Sequence, residues 1–209
     1  MGRPTRPLLS RRAIAEAALP LVDQEGPEAA SVRRIAGKLN VHPTSLYNHV
    51  PTRGDIIEDV RGLISQNIDS SALEEQPWKH GVLAWAHSYR NAFAAHPRII
   101  PLLMTSRASS PVTLSMYDTF VAAARKEGWD LPDILPLLTA MESFILGSVL
   151  DMTGPAVLFD PVGQEENIPD FAAAYATLTS QDPEDPVATR AFELGMQMLI
   201  AGASVMRDG

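Results

Sequence analysis

Thr44, Ser45, Tyr47, Asn48 and His49 put five side chains able to donate or accept hydrogen bonds into six consecutive residues. Wound on a helix they cover about a turn and a half, a set suited to reading base edges in a major groove and gripping phosphate oxygens. Thr44 and Ser45 are the candidates for base edges. Tyr47 and His49 suit phosphate, and His42 and Asn48 are variable readers without an assignable base. Arg33 before the run and Arg53 after it add cations. Arg53 falls where a helix should begin, so its charge and the free N–H groups there could hold one phosphate together. A solvated helix pair with a surface arginine would expose the same residue types.

The elements that must position these residues are legible from spacing. Ile35, Ala36 and Leu39 give a first helix one apolar face, with Ser31 as its N-cap. Asn40 tolerates the left-handed backbone of a helix stop, Val41 packs into the corner, and Pro43 suits the first turn of a second helix. Leu46 and Val50, four apart, hold that helix down until Pro51 breaks it. Upstream, Ser10 opens a helix through Ile14, Ala17, Ala18, Leu21 and Val22 to Gly26–Pro27, which should cross the pair and complete a three-helix core. Residues 1–9 hold two Arg-Pro pairs and no period. Arg3 and Arg6 there are either a minor-groove or phosphate contact or part of an unstructured arm.

Charge separates this head from the rest. The 209-residue chain carries a formal net charge of −8, yet residues 1–54 hold eight basic and four acidic residues, a net of +4 that leaves −12 for the remainder. A basic head on an acidic body is expected when only the head meets phosphate. There is no cysteine, hence no disulfide and no thiolate chemistry, as suits a reducing cytoplasm. No apolar run reads as a membrane span, and the N-terminus lacks the apolar core of a secretory signal.

Beyond Pro51 every segment reads helical. Thr52 or Arg53 opens a long helix through Ile56, Ile57, Val60, Leu63, Ile64 and Ile68, and Pro77 marks the next break. Helices are then expected over 78–96, 97–104, 112–127, from an Asp130 cap to 154, over 171–178, and over 187–206. The sequence shows no period-two alternation, no internal repeat, no glycine-rich phosphate loop, no nucleophile elbow and no metal-ligand spacing among its five histidines. No catalytic residue, metal or cofactor is therefore assigned.

The run from Ile35-Ala36 to Val41, then Leu46-Tyr47 and His49-Val50 followed by Arg53, closely resembles the DNA-binding domain of the tetracycline-repressor (TetR) family of bacterial regulators. Phe144-Ile145-Leu146-Gly147, Val149-Leu150-Asp151 and the segment Ala191 to Gly202 resemble the last two long helices of that family's regulatory domain. The resemblance implies an all-α protein in two parts. Residues 1–52 would be a three-helix, helix-turn-helix DNA-binding domain, joined by a long helix to a ligand-binding and dimerisation domain at 53–209. It also implies a homodimer through helices at about 132–154 and 187–206, paired as a four-helix bundle. Gly147, Ser148, Ala191, Gly195, Gly202 and Ala203 would allow the close approach, although two central core helices would read alike. A dimer places two heads one DNA turn apart, about 34–36 Å, on a palindromic operator.

Trp85, Tyr89, Met104, Met116, Phe120, Met141 and Phe144 could line a cavity for a small apolar or aromatic effector, or simply pack the core. His87, Arg107, Glu142, Ser143 and Asp151 are the polar candidates. Two departures from the family pattern stand out. Asn40 occupies a turn position that usually holds glycine, and Ile100 to Thr105 lacks the histidine through which relatives take a metal–drug chelate. The leading expectation is a ligand-responsive repressor. An enzyme in the body, or a DNA-binding architectural protein without an effector, are the competing readings.

Overall fold

The computed structural model describes residues 9–154, 159, 161–179 and 187–208, and every regular element among them is helical. Arg3 and Arg6 lie outside the described residues. The α-helices are α1 Arg11–Glu25, α2 Val32–Leu39, α3 Pro43–Tyr47, α4 Arg53–Ser65, α5 Ala72–Glu75, α6 Trp78–Ala94, α7 Ile100–Leu103, α8 Pro111–Lys126, α9 Leu131–Asp151, α10 Pro169–Thr179 and α11 Val187–Asp208. Short 3₁₀ turns at Pro27–Ala29 and Pro97–Ile99 precede α2 and α7.

The helix starts follow from side-chain caps. Ser10 accepts from the Ala13 N–H at 3.1 Å, and Ser31 from that of Arg34 at 3.4 Å. At α4 the Thr52 hydroxyl accepts from Asp55 N–H at 3.2 Å while the Asp55 carboxylate accepts from Thr52 N–H at 2.9 Å, a reciprocal capping box. The Thr52 bonds hold the Asp55 carboxyl below its ordinary range. Asp130 departs from expectation. It occupies the cap position of α9 in extended backbone, but its side chain makes no cap bond.

Ile14, Ala18 and Val22 of α1 pack with Ile35 and Ala36 of α2, Leu46 of α3, and Ile56, Ile57 and Val60 of α4. The core of the head thus continues into the linking helix. That helix is shorter than its apolar stripe suggested, because it ends at Ser65 and Ile68 is buried from the turn beyond it. A second seam ties head to body: His96 Nδ1 lies 2.8 Å from an Asp23 carboxylate oxygen, and Arg98 donates to the Gln24 carbonyl at 2.8 Å.

In the body, α6, α8, α9 and α11 surround Trp78, Trp85, Phe93, Phe120, Met141 and Ile145. Sequence reasoning gave α5 no place. It sits on Gly81 of α6, where a methyl group would lie 2.5 Å from the Ala72 carbonyl oxygen and 3.2 Å from Leu73 Cα. Backbone cannot yield as a side chain tip can, so Gly81→Ala is expected to cost about 1–3 kcal/mol, read as a lower urea midpoint at unchanged slope.

One helix corrects the reading of the membrane signal. The 21-residue α9 is apolar and long enough, by length and composition alone, to span a bilayer. It is broken by charge, with Asp133 in its first turn and Glu142 at its middle, and one of its faces is buried against α6, α8 and α11.

Candidate nucleic-acid interface and effector cleft

The turn between α2 and α3 is built on Asn40, whose backbone is left-handed (φ 53°, ψ 48°). It is the non-glycine residue with positive φ among those described, and the Val41 N–H closes the helix end on the Ala36 carbonyl at 3.0 Å. Asparagine therefore meets the conformational demand that glycine usually meets. α3 ends at Tyr47, earlier than the sequence reading allowed. Its last turn is finished by His49 and Val50 N–H groups, both bonded to the Leu46 carbonyl at 2.9 Å. The helix cannot pass this point, because Pro51 has no N–H to bond the Tyr47 carbonyl and restricts Val50 before it.

Thr44 and Tyr47 of α3 and Asn48, which caps it, stand at i, i+3 and i+4 and are exposed, Tyr47 to 53%. They form the open face. Ser45 and His49, four apart on the flank, are half-buried. Thr44 is partly committed: its hydroxyl lies 2.8 Å from His42 Nδ1, which also accepts from Thr44 N–H at 3.4 Å and so caps the helix. Arg33 is exposed on α2.

Arg53 has a different primary task from the one its position suggested. Its Nε donates to the Ala30 carbonyl and its Nη2 to the Pro27 carbonyl, both at 2.9 Å. It braces the start of α4 against the turn before α2, and any phosphate must use its remaining donors. Other head cations are likewise paired, Arg11 with Asp59, Arg12 with Glu16 and Arg34 with Glu25.

The aromatic candidates of the body pack on one another. Trp85 lies edge-on to Tyr89 at 5.5 Å and tilted to Phe120 at 5.1 Å, and Tyr89 stacks on Phe93 at 5.1 Å. Met116 and Met141 are buried beside them. Phe144 stacks on Phe192 and covers Gly195, whose added Cβ would fall 2.1 Å from the ring. Gly195 thus receives an intramolecular ring, whereas Gly147 and Gly202 have open space above them.

A cleft of about 330 Å³ opens where α4 meets α8, α9 and the loop after α7. Of the candidates Met104, Glu142 and Ser143 line it, together with Arg61, Tyr117 and Thr139, to which the sequence assigned no place in a cavity. Glu142 Oε1 accepts from the hydroxyls of Tyr89 and Tyr117, both at 2.5 Å, and lies 3.9 Å from Arg61 Nη1. Burial first, and the Glu142 charge second, push both phenols up, so they stay protonated donors. Arg61 is buried, and two of its three nitrogens are engaged. Its Nε donates to Glu58 Oε1 at 3.0 Å and its Nη2 to the Leu103 carbonyl and Ser106 Oγ, each at 2.9 Å. Glu58 in turn accepts from Ser109 N–H at 2.7 Å and from the Ser106 hydroxyl at 2.9 Å. A signal for Arg61 was present: it sits four after Ile57 and three before Ile64, a charge inside an apolar stripe.

The other polar candidates lie elsewhere. His87 pairs with Glu193 at 3.0 Å, Asp151 is exposed, and Arg107 lines a neighbouring cleft with Thr52 and Arg53.

Residues 71–207 match the family model described as tetracyclin repressor-like, C-terminal domain. An HTH-type transcriptional regulator of Saccharopolyspora erythraea is 27% identical over 205 residues, covering 95% of this chain and 86% of that protein. The class D tetracycline repressor protein of Escherichia coli is also 27% identical over 205 residues, 94% of this chain and 90% of its own. Among solved structures, the Streptomyces coelicolor TetR family protein ActR in complex with actinorhodin superposes with a TM-score of 0.77 at 21% identity, over 96% of this chain and 99% of that one.

Proposed function

The chain belongs to the tetracycline-repressor family of transcriptional regulators, and on that premise we propose that it is a homodimeric repressor released from a palindromic operator by a small, largely apolar effector. Residues 1–52 read the DNA, and 53–209 bind the effector and pair the subunits. The observation that carries the reading is the course of α4. It starts five residues after Asn48 of the open α3 face and, two turns on, presents Arg61 to the cleft. A molecule in the cleft therefore rests on the helix that sets the head. Release requires that the effector bind better to the subunit arrangement whose heads are wrongly spaced, and operator must then weaken effector binding by the same factor. A solved relative holding a small molecule supports the ligand-responsive part, and the cleft favours it over an effector-free architectural role.

The DNA face is tested on the operator beside the gene. Tyr47→Ala removes an exposed side chain, so thermal stability should hold while affinity falls about five- to tenfold, the worth of one hydrogen bond with its contact area. Arg33→Ala should lower the slope of log affinity against log salt by about one. Unchanged affinity and slope in both variants would remove α3 and the start of α2 from the interface.

A further inference from the structure

We infer that the cleft selects a cationic ligand, an amine or amidine carried on an aromatic body of about two fused rings, and that Glu142 is the group that takes its N–H donors. This deepens the effector reading above and rests on it.

The charges around the cleft point one way. Glu58 and Glu142 face a single cation, Arg61, so the cluster is left with one negative charge. Arg61 offers an anion little: its Nε and Nη2 already run to Glu58, Leu103 and Ser106, and its remaining Nη1 stands 3.9 Å from Glu142, whose charge repels an anion brought to it. Arg107, the next cation along the loop, lines the neighbouring cleft and not this one. Glu142 is different. Both tyrosine hydroxyls and Arg61 address Oε1, and Oε2 receives no donor from the described residues. A carboxylate oxygen on a cleft wall without a donor is an acceptor awaiting one. Thr139 stands one turn before it on α9, at i−3, and Ser143 directly follows it.

The rest of the wall sets the body of the ligand. Leu103, Met104, Leu138 and Leu146 are apolar, and methionine adapts to flat ring systems. The volume of about 330 Å³ is near the lower end for a small-molecule site, which limits the body to about two rings. A cation placed against Glu142 also competes with Arg61 for that carboxylate. Arg61 is on α4, so charge recognition and the response of the linking helix share one side chain.

Three probes with one ring system separate charge from shape: 2-naphthylmethylammonium, 2-naphthylmethanol and 2-naphthoate. Calorimetric titration of the full-length protein should show the ammonium binding at least about tenfold more tightly than the carboxylate, with the alcohol between them. Only the ammonium should displace operator at equal concentration. Glu142→Gln keeps an acceptor for both tyrosines, so folding should survive, yet it should abolish the preference for the ammonium and leave the alcohol within about threefold. Ser143→Trp, at an exposed position on the rim, should block all three. Equal binding of carboxylate and ammonium, or a preference that survives Glu142→Gln, overturns the charge assignment. If Ser143→Trp still blocks binding, the cleft remains the effector site with another specificity. Probes that bind undiminished to Ser143→Trp, or no saturable binding by any probe at millimolar concentration, overturn both.

Discussion

Arg61→Met is expected to lower the unfolding free energy by about 3–5 kcal/mol, the usual cost of stripping one partner from a buried ion pair. The loss is not that of a surface salt bridge. Arg61 and Glu58 are 4% and 6% exposed, and the same guanidinium satisfies the Leu103 carbonyl and Ser106. Methionine matches the stem in volume but leaves Glu58 a buried charge and the Leu103 carbonyl without its donor. The variant should carry a pH signature. A carboxylate without its cation takes up a proton on folding, the unfolded chain then binds fewer protons than the folded one, and stability rises as pH falls. The deficit against the wild type should therefore narrow between about pH 8 and pH 5. Glu58→Gln combined with Arg61→Met removes the orphaned charge and should recover roughly half of the loss, since the two residues are directly coupled. Urea unfolding across that range reads all three outcomes. A pH-independent loss below about 1 kcal/mol would mean that water reaches the pair and that it is worth no more than an exposed one.

The same pair explains what was legible in the sequence. Signals confined to a few neighbouring residues translated directly into structure. Ser10 and Ser31 cap the helices their positions predict, Thr52 rather than Arg53 takes the cap position of α4, and Asn40 takes up the left-handed turn. Prolines at 77, 97 and 111 stand at the breaks between helices. What a helical period cannot give is the partner of each face. Trp85, Tyr89 and Phe120 have the right chemistry for a ligand pocket, and they fill one another's space instead. Glu142 is among the polar candidates the sequence offers, but its two tyrosines come from positions 53 and 25 residues away, a distance no local pattern spans. Arg53 shows the converse. Its place at a helix start suggested phosphate, and the carbonyls that occupy it belong to a turn 23 and 26 residues upstream.

Leu194→Asp with Met198→Asp should turn the protein into a monomer at micromolar concentration and reduce operator affinity by about two orders of magnitude or more. The two side chains are 60% and 64% exposed, one turn apart on α11, on a face that continues to Val205 at 74%. They contribute little to the fold of one subunit, so helicity and thermal unfolding of the isolated chain should hold. Their exposure is the anomaly. A row of large apolar side chains this open along one helix is expected to meet a partner. A groove of about 450 Å³ between α9 and α11, lined in part by Ala140, Leu199 and Gly202, gives a second copy of the same helices somewhere to seat. Gly202 has nothing within 4 Å of where a Cβ would stand, so a neighbouring backbone can approach it closely. In a two-fold interface each substitution counts twice, placing four carboxylates in an apolar seam where each carries a desolvation cost. Sedimentation velocity gives the subunit state, and a titration on whole and half operators gives the consequence. The monomer should bind both about equally weakly, because one head reads one half-site and the gain from tethering two is lost. A variant that still sediments as a dimer would move the interface off α11, and a monomer that keeps full affinity for the whole operator would show that each head acts alone.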